Sequence, residues 1–469
     1  MYQLSLNKIA QALRAEPIGE DIDQQIEPSG ASIDTRTLKP GQLFFAFKGE
    51  KTDGHAYLSE AQRLGAVAAV VSYIPPDFQQ GDFPLFLVAD VEKALQQLAE
   101  LQRSFFQGPL IAITGSTGKT TTKDMLTAIL SEKGEVLSTQ GNYNNELGLP
   151  LTLLSLEEKH WAMVTEMGMD ALGEIDRLGE IAKPTHGIIT NIGHSHQEIL
   201  GSQERIAQAK AELFPHVSPT GGMVLNKQDE ALLNPWLPEL RCPVKWVACS
   251  APADIWVGEV WTNKGNYGYT FQICTEGEEV SITLNIPGRH NIINSLSAVG
   301  IARQLGLSWE EIRRGLSKIQ LTPMRLEIIH LEEQKLTVIN DAYNANPASM
   351  ASALEVLQTV AGKGRKIAVL GDMYELGDFE VQGHLEVGKK AVDVQLDYLF
   401  TVGKLARYIA EGAITAGFPE SGIGLCQNNQ EALSYLKKAL QPGDVILIKG
   451  SRGVKMEEIV TDLARMPSI

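Results

Sequence analysis

The sequence has few cysteines, no long apolar run and no excess of basic charge. Its 469 residues include only Cys242, Cys249, Cys274 and Cys426, with no CxxC pair and no metal-ligand spacing. Such sparse use favours free thiols in a reducing compartment. The N-terminus, MYQLSLNKIAQALRAEP, lacks an apolar signal core, and no run approaches the length of a membrane span. We therefore expect a cytoplasmic protein without membrane insertion.

The charge balance limits the partners of the chain. Its formal net charge is -16, which argues against a non-specific grip on nucleic acid or on an anionic membrane. Hydrophobic residues make up 43% and charged residues 21%, values typical of a globular protein. An anionic ligand remains possible, because a local Gly-Lys loop can bind phosphate within an acidic protein.

The pattern of strands and helices predicts an α/β protein of three domains. Short strands and helices fill the first hundred residues, and QGP at 107–109 breaks the pattern. The next region alternates apolar runs (LIAITG, WAMVTEMG, HGIITNIG) with helical segments, which indicates a parallel sheet. QLTPMR marks a second boundary. We predict a small α/β domain at 1–107, a central domain at 108–320 and a C-terminal domain at 321–469.

The two larger domains differ in their predicted strands. ADIWVGEVW, NYGYTFQI and EEVSITLNIPG alternate apolar and polar residues, which predicts antiparallel strands appended to the central parallel sheet. The C-terminal region alternates KLTVIND, KIAVLGD, YLFTVG and VILIKGSRG with helices, one of them starting at Pro347. That order is typical of a doubly wound, Rossmann-like domain.

A phosphate-binding loop is the strongest local signal. TGSTGKTTTKDM follows an apolar strand and precedes a helix predicted to start near Thr120. Gly115 and Gly118 would let the backbone curl around phosphates, Lys119 would reach the terminal phosphates, and the Thr120 hydroxyl would face Mg²⁺. The loop has two residues between its glycines where the usual motif has four, with Ile113 at the usual first glycine. A Gly/Thr-rich turn that merely contains a lysine is the alternative.

Three further residues of the central domain are candidates for the site. Glu166 ends a strand at the carboxyl edge of the sheet, where a carboxylate is a natural Mg²⁺ ligand or simply a surface group. His194 and His196 follow the next strand and can equally be solvated loop residues. Lys210 is on a predicted helix, and its residue type alone indicates an ordinary solvated charge.

Other candidates follow strands or turns elsewhere. The asparagines of GNYNNELGLP can satisfy turn geometry. Arg325 could reach a γ-phosphate or be a surface arginine beside a linker. Asp341 could hold ribose hydroxyls with Asn344 near the base, while Asn346 caps the helix at Pro347. The segments GDMYELG and KGSRG also end strands, and their loops would face the central domain.

Taken together, these segments resemble the Mur ligase family, ATP-dependent amide ligases of peptidoglycan precursor synthesis. The resemblance runs in order through TGSTGKTTTK, GNYNNELGLP, TEMGM, NIGHSHQEILGS, AKAE, GRHNIINSLSA, PMRLE and DAYNANP. The N-terminal SIDTRTLKPGQLFFAFKGEKTDGH resembles the family's module for the UDP end of the substrate. TEMGMDALGEI, VLGDMYELG and KGSRG most resemble the members that use D-alanyl-D-alanine.

The resemblance implies roles for individual residues. The expected ATP-binding residues are Gly115, Ser116, Thr117, Gly118, Lys119, Thr120, Thr121, Asn294, Arg325, Asp341 and Asn344. The expected substrate-binding residues are Ser32, Asp34, Thr35, Arg36, Lys48, Asn142, Asn144, Asn145, Asp372, Lys449, Ser451 and Arg452. Two Mg²⁺ sites are expected on Thr120, Glu166, His194 and Lys210, the last carbamylated by CO₂. Lys119, Glu166, His194, Lys210 and Arg325 are the expected catalytic residues.

The expected reaction joins D-alanyl-D-alanine to the terminal carboxylate of a UDP-N-acetylmuramoyl-tripeptide. The ATP γ-phosphoryl group would convert the carboxylate to an acyl phosphate, which the dipeptide amine then attacks. We expect a monomer whose ATP-binding groups come from two domains, so that the C-terminal domain closes on ligand binding.

Four alternatives stay open at this point. Folylpolyglutamate synthetase lacks the UDP module, so residues 1–105 argue against it. A ligase for the third peptide residue would carry a DNPR-like signature where GDMYELG stands. A phosphate-loop NTPase would hydrolyse ATP without peptide. A non-catalytic UDP-sugar binder would not need Lys119, Thr120 and Glu166.

Overall fold

The chain forms three β-sheets flanked by helices. The computed structural model describes residues 1, 3–19, 22–49, 52–79, 81–193, 197–250, 252–263, 265 and 267–467. The strands are β1 Pro17–Ile18, β2 Ala31–Ser32, β3 Leu43–Phe45, β4 Ala68–Val71, β5 Leu85–Leu87, β6 Leu110–Thr114, β7 Glu135–Ser138, β8 His160–Glu166, β9 His186–Ile189, β10 Gly222–Asn226, β11 Val244–Ala248, β12 Ile255–Thr262, β13 Tyr269–Thr275, β14 Glu278–Leu284, β15 Glu327–Leu331, β16 Leu336–Asp341, β17 Lys366–Gly371, β18 Tyr398–Val402, β19 Ile423–Cys426 and β20 Val445–Lys449. The α-helices are α1 Leu6–Leu13, α2 Leu58–Arg63, α3 Val91–Phe105, α4 Lys119–Leu130, α5 Gly148–Leu153, α6 Glu174–Ala182, α7 Gln197–Leu200, α8 Gln203–Ala211, α9 Glu230–Leu233, α10 His290–Gln304, α11 Trp309–Ser317, α12 Pro347–Ala361, α13 Glu380–Asp393, α14 Arg407–Thr415, α15 Asn429–Ala439 and α16 Glu457–Ala464.

The first sheet has five short strands in the order β1-β5-β4-β3-β2, and only β1 runs antiparallel to its neighbour. All four residues of β4 are buried, as expected where both faces of a parallel sheet are covered. Helix α3, which covers this sheet, contacts the central domain: the Arg103 guanidinium donates to the carbonyl oxygens of Ala182 and Lys183 at the C-terminal end of α6.

The central sheet has nine strands in the order β14-β13-β12-β11-β10-β9-β6-β8-β7. On β6, Ile111 and Ile113 pack on the face covered by α4 and α10, whereas Leu110 and Ala112 pack on the opposite face, with α5 and α6. Strand β6 also lies where the connections diverge, with β8 on one side and β9 on the other. Ligands of open α/β sheets bind at the carboxyl edge of such a switch point.

The predicted antiparallel extension is confirmed with one correction. β13 pairs antiparallel with both β12 and β14, but β12 pairs parallel with β11 on its other side. An alternating pattern identifies a half-buried strand, and it does not fix the direction of each neighbour. The parallel strands β10 and β11 were not identified from the sequence.

The C-terminal sheet has the order β15-β16-β20-β17-β18-β19 and is parallel except for β15. The antiparallel edge strand β15 was not predicted. The helix start at Pro347 is confirmed: the Asn346 side chain accepts the backbone N–H of Ser349 at 2.8 Å. Three α/β units are thus present, and their limits at 107/108 and 320/321 stay a prediction.

Among the described residues, none of the helices combines the length and the apolar character that a membrane span requires.

Candidate active site

The phosphate loop joins β6 to α4 and needs glycine at two positions. Gly115 has a φ of 145° and Gly118 a φ of 79°. A Cβ atom on Gly115 would lie 1.9 Å from Thr190 Oγ1, and one on Gly118 would lie 2.6 Å from Asn294 Oδ1. Both glycines therefore permit close approach of neighbouring side chains as well as an unusual backbone. The helix begins at Lys119, one residue before the predicted start.

The segment after β9 braces the loop from below. The Ser116 N–H donates to Asn191 O at 3.0 Å and the Thr117 N–H to Asn191 Oδ1 at 3.1 Å. In return Asn191 Nδ2 donates to Thr117 O at 3.0 Å, and the Gly193 N–H donates to Ser116 Oγ at 2.8 Å. Because no side chain of the described residues caps α4, the N–H groups of its first turn remain as donors for an anion.

Lys119 lies beside these donors. Its Nζ donates to Gly115 O at 2.7 Å. Burial lowers the pKa of Lys119, with the Glu166 carboxylate acting in the opposite direction and the Arg325 guanidinium in the same one. Among the described residues no carboxylate forms an ion pair with it, so a polyphosphate would supply the missing negative charge.

Four polar side chains from both large domains meet at the start of α4. Thr120 Oγ1 donates to Glu166 Oε2 at 2.8 Å and accepts from Arg325 Nη2 at 3.1 Å. Asn144 Nδ2 donates to Glu166 Oε1 at 3.0 Å. Thr139 Oγ1 accepts the Glu166 N–H at 2.9 Å and so holds the backbone of Glu166 in place. Arg325 therefore reaches the central domain, and the alternative of a surface arginine is wrong.

The Thr120 and Glu166 oxygens fit a magnesium ion. Mg²⁺ prefers oxygen ligands and is usually held by one or two carboxylates together with substrate phosphates and water. Within the described ranges, no three His, Cys, Asp or Glu side chains come together as a possible metal site. His194 and His196 lie outside the described residues.

Lys210 corrects the interpretation drawn from its residue type. It lies on α8 and is only 2% exposed, so it is not a solvated surface charge. Burial lowers its pKa well below the usual value, and the neighbouring Lys119 charge lowers it further. No ion pair joins Lys210 to a carboxylate in the part of the chain that is described. A neutral amine in this position is a nucleophile toward CO₂.

The C-terminal side of the site is organised around Asp341 at the end of β16. Asp341 Oδ1 accepts the Leu326 N–H at 3.0 Å, and its Oδ2 accepts from Lys449 Nζ at 2.6 Å. Lys449 also donates to Asn344 O at 2.8 Å and is 2% exposed. The Asp341 carboxylate is therefore held in one orientation.

Arg325 is presented on a strained segment. Met324 and Leu326, on either side of it, have φ values of 62° and 50°, in the left-handed region that non-glycine residues rarely adopt. The Arg325 guanidinium lies 4.1 Å from the centroid of the Tyr343 ring. Tyr343 was missed from the sequence, although it lies in the same DAYNANP segment as Asp341.

Most of these groups line one cleft of about 390 Å³ between the central and C-terminal domains, but Lys210 does not line it. Ten of the eleven residues predicted to bind ATP line it: Ser116, Thr117, Gly118, Lys119, Thr120, Thr121, Asn294, Arg325, Asp341 and Asn344. Gly115 lies just below, at the base of the loop.

The asparagine segment divides between the cleft and a turn. Asn144 lines the cleft and contacts Glu166. Asn145 also lines it, but its Oδ1 accepts the backbone N–H groups of Leu147 and Gly148 at the start of α5. Asn142 is exposed. Turn geometry thus accounts for Asn145, and Asn144 faces the reacting groups.

Three other predicted substrate residues do not line the cleft. Asp372 Oδ1 accepts the Ala406 N–H at 2.7 Å, and Asp372 O accepts the Ser451 N–H at 2.9 Å. Arg452 pairs with Glu457 at 2.7 Å. The partners of Asp372 and Ser451 lie within the C-terminal domain, where they join the loops after β17, β18 and β20. Lys449 is the member of this predicted group that lines the cleft.

The residues predicted for the UDP end lie on the N-terminal sheet. Asp34 pairs with Arg36, and Thr35 Oγ1 donates to Glu60 Oε2 at 3.0 Å. Ser32 Oγ donates to Asp34 O at 3.0 Å, and Lys48 pairs with Asp53 through an isolated backbone bridge. This group is separate from the cleft.

A hydrogen-bonded network around the buried His55 on the same sheet was not predicted. His55 Nδ1 lies 2.6 Å from Asp53 Oδ1, and the Ser72 N–H donates to His55 Nε2 at 3.0 Å. The Tyr73 hydroxyl donates to Asp53 Oδ2 at 2.7 Å, and its ring stacks on His55 at 4.1 Å. Burial opposes the change, but hydrogen bonds from Tyr73 and His55 lower the pKa of Asp53 to about 2.

The fold and the site define a class of protein: a three-domain α/β protein whose phosphate loop faces the carboxyl edge of a second, largely parallel sheet. The chain belongs to the Mur ligase family. Family models described as Mur ligase family, catalytic domain; Mur ligase middle domain; and Mur ligase, glutamate ligase domain match residues 28–103, 113–302 and 324–452, respectively.

Relatives match the chain over its full length. The UDP-N-acetylmuramoyl-tripeptide–D-alanyl-D-alanine ligase of Bacillus subtilis is 37% identical over 467 residues, covering 100% of each chain. A crystal structure of MurF from Acinetobacter baumannii is similar at a TM-score of 0.85 and 32% identity, covering 98% of this chain and 99% of that one. MurF ligase from Thermotoga maritima, solved in complex with ADP, gives 0.78 and 26% over 93% and 97%.

Proposed function

We propose that this chain is an ATP-dependent ligase that joins D-alanyl-D-alanine to the terminal carboxylate of UDP-N-acetylmuramoyl-tripeptide in peptidoglycan precursor synthesis. One observation carries the proposal: Arg325 of the C-terminal domain donates to Thr120, next to the phosphate-loop lysine, so two domains complete a single cleft. Full-length relatives that carry the name of this ligase support the choice of substrates.

ATP would lie across the cleft with its phosphates at α4. The first-turn N–H groups and Lys119 would hold the β- and γ-phosphates, and Arg325 would contact the γ-phosphate. Asp341 would accept hydrogen bonds from the ribose hydroxyls, with Asn294 and Asn344 near the base. The γ-phosphoryl group would pass to the substrate carboxylate, whose C–O⁻ oxygen forms the new P–O bond while ADP leaves.

The acyl phosphate would then react with the dipeptide amine. The amine nitrogen attacks the carbonyl carbon, loses a proton, and the tetrahedral intermediate expels inorganic phosphate as the amide forms. Lys119 and Arg325 would stabilise the negative charge that develops in both steps. Mg²⁺ held by Thr120 and Glu166 would neutralise phosphate charge.

Lys210 would be a Mg²⁺ ligand as a carbamate, and Glu166 and His194 would serve a second Mg²⁺ site. The burial and lowered pKa of Lys210 support its role, because CO₂ adds only to the neutral amine. The product is an anion that would sit beside Lys119. Incubation with ¹³C-bicarbonate should give a carbamate carbon signal in the NMR spectrum that a K210M variant lacks. A wild-type spectrum without that signal would contradict the carbamate, leaving the ligase proposal intact.

The three domains would divide the substrates. Residues 1–107 would bind the UDP end, residues 108–320 ATP and the acyl end, and residues 321–469 the incoming dipeptide and part of ATP. A cytoplasmic monomer fits UDP-linked and nucleotide substrates, and sedimentation velocity would test the monomer.

Product analysis tests the function directly. The enzyme is given ATP, Mg²⁺ and the UDP-linked tripeptide, with D-alanyl-D-alanine, L-alanyl-L-alanine or no amine. We expect phosphate release and a UDP-linked pentapeptide, seen by mass spectrometry, only with the D-dipeptide. Equal phosphate release in all three reactions would replace the ligase with a nucleotide hydrolase. Tripeptides ending in lysine and in diaminopimelate, run in parallel, would identify the third residue.

A further inference from the structure

Two charged residues on α4, which the mechanism above does not use, are almost completely buried. Lys123 lies one turn after Lys119, and its side chain is 5% exposed. The Asp124 side chain is 10% exposed, and its Oδ1 lies 3.0 Å from Lys123 Nζ. Charged side chains are rarely buried unless they are paired and hydrogen-bonded. Their remaining partners indicate what the pair holds.

The Asp124 carboxylate grips the segment that connects the central and C-terminal domains. Its Oδ2 accepts the Thr322 N–H at 2.8 Å, and its Oδ1 accepts the Thr322 hydroxyl at 3.1 Å. Lys123 Nζ also lies 3.4 Å from Thr322 Oγ1. Thr322 precedes Arg325 by three residues. Through this contact α4 holds the backbone segment that leads to Arg325.

The same pair is tied to the carboxylate at the metal position. Lys123 Nζ donates to Thr139 O at 3.0 Å, and Thr139 Oγ1 accepts the Glu166 N–H at 2.9 Å. Glu166 accepts from Thr120, which in turn accepts from Arg325. These hydrogen bonds, together with the backbone from Thr322 to Arg325, form a closed ring that begins and ends on α4.

The backbone on both sides of Arg325 is strained and needs contacts that stabilise it. Met324 and Leu326 both adopt left-handed backbone conformations, which persist only when the surroundings enforce them. The Leu326 N–H is bonded to Asp341 on the C-terminal side. The Thr322 N–H is bonded to Asp124 on the central side. The backbone on the two sides of Arg325 is therefore hydrogen-bonded to a carboxylate in each domain.

We propose that Asp124, supported by Lys123, is a positioning residue that holds Thr322 so that Arg325 meets the γ-phosphate beside Thr120. The inference rests on the proposed ATP-dependent ligation. Asp124 touches no reacting atom and acts through Arg325. A displacement of about 1 Å at a catalytic group can reduce a rate by about 100-fold.

The test compares D124A with D124N. Both variants remove the charge that faces Lys123, but asparagine keeps an oxygen that can accept the Thr322 N–H. We expect kcat to fall about 10- to 100-fold in D124A and less than about threefold in D124N. The KM for the UDP-linked substrate should change less than about threefold in both, because that substrate binds mainly elsewhere. Equal losses in D124A and D124N would overturn the proposal.

A double-mutant cycle with R325A separates positioning from general destabilisation. If Asp124 acts through Arg325, D124A should reduce kcat by less than about twofold in the R325A background. Independent, multiplicative losses would overturn the proposal. Should D124A not fold, T322A replaces it in the cycle, because it removes the hydroxyl that contacts Asp124 and Lys123 but leaves both charges of the buried pair in place.

Asp444 offers a matched control. Like the Asp124 carboxylate, the Asp444 carboxylate is almost completely buried and does not line the cleft, but its partners, the Arg365 guanidinium and the Gln441 N–H, lie within the C-terminal domain. We expect D444N to lower the thermal midpoint and leave kcat unchanged. Hydrogen exchange of 319–326 should accelerate in D124A and stay at the wild-type rate in D444N; unchanged exchange in D124A would contradict the anchor.

A wild-type enzyme that makes no pentapeptide would refute the proposed function. A wild type that ligates, with D124A as active as wild type, would refute the positioning role alone.

Discussion

The carboxyl edges of the central and C-terminal sheets are built alike, but they differ in whether their lysine forms an ion pair. Each is a largely parallel sheet whose carboxyl edge carries a lysine that lines the cleft. Lys449 of the C-terminal edge is already paired with Asp341 at 2.6 Å. Lys119 of the central edge bonds only a carbonyl oxygen among the described residues, and Lys210 has no described ion-pair partner.

The difference separates what the protein supplies from what it must bind. The C-terminal edge is neutralised internally and is therefore built to hold a ligand's hydroxyl groups in fixed geometry. At the central edge the Glu166 carboxylate bonds Thr120, and neither Lys119 nor Lys210 has a carboxylate ion-pair partner among the described residues; polyphosphate and a carbamate would provide that charge. Burying an amine without such a partner costs stability, so Lys210 is where stability has been exchanged for function.

The largest loss of activity should come from removing the charge of Lys119. We expect K119M to reduce kcat/KM for ligation about 100- to 1,000-fold, because transition-state charge on the phosphoryl group loses a fixed counter-charge. Phosphate release measures the loss. The exposed Lys437 provides the control, and K437M should match wild type. Ligation by K119M within about threefold of wild type would remove Lys119 from the mechanism.

The next effect should follow removal of the second buried amine. We expect K210M to lose about 100-fold in kcat while unfolding no more easily than wild type, because it replaces a buried amine with an apolar side chain. Burial lowers the pKa of Lys210, so the native state binds fewer protons and the wild type gains stability as pH rises toward the unfolded pKa. Urea unfolding at two pH values checks the sign. A strongly destabilised K210M would indicate a structural lysine.

A smaller effect is expected on the paired edge. D341N should raise the KM for ATP about tenfold, since the amide keeps one acceptor but loses the ion pair with Lys449. Asp397 is a matched control: its Oδ2 accepts the Lys366 N–H at the opposite edge of the same sheet. D397N should leave the KM for ATP unchanged. The same KM in D341N as in wild type would argue against the ribose contact.

The smallest effect concerns the N-terminal network, where every partner is internal. The pKa of Asp53 is lowered to about 2, so its contribution to stability is complete above the unfolded pKa of about 4 and is lost as pH falls toward 2. We expect D53N to lower the free energy of unfolding by about 1–2 kcal/mol at pH 7 and by progressively less below pH 4. The exposed Asp77 serves as control, with D77N unchanged. A D53N deficit that is independent of pH would contradict the assignment.

Local patterns predicted the parts of the site that are contiguous in sequence. The strand, the two glycines, Lys119 and the helix start were correct to within one residue because short-range sterics fix them. The helix at Pro347 followed from its cap. Strand β15 was missed because its short apolar run, EIIHL, directly follows the linker and carries no turn signal.

Long-range contacts were beyond the sequence alone. The burial of Lys210 depends on which helix face meets the sheet, and a lysine on a helix gives no sign of that. Asp124 and Thr322 are separated by 198 positions, so nothing local connects them. The same holds for Asn191, which bonds the phosphate loop from the segment after β9. His194 lies outside the described residues, and its metal role stays a prediction.

Transfer of the phosphoryl group to the substrate carboxylate is tested most directly by tracing the oxygen atoms of that carboxylate. The terminal carboxylate of the UDP-linked tripeptide is labelled with ¹⁸O, ligation is run with unlabelled ATP and D-alanyl-D-alanine, and the phosphate is analysed by mass spectrometry. Phosphoryl transfer to the carboxylate predicts one ¹⁸O in each phosphate released, because the carboxylate oxygen becomes the bridging oxygen of the acyl phosphate. Phosphate without ¹⁸O, or release of AMP and pyrophosphate, would contradict phosphoryl transfer to the carboxylate.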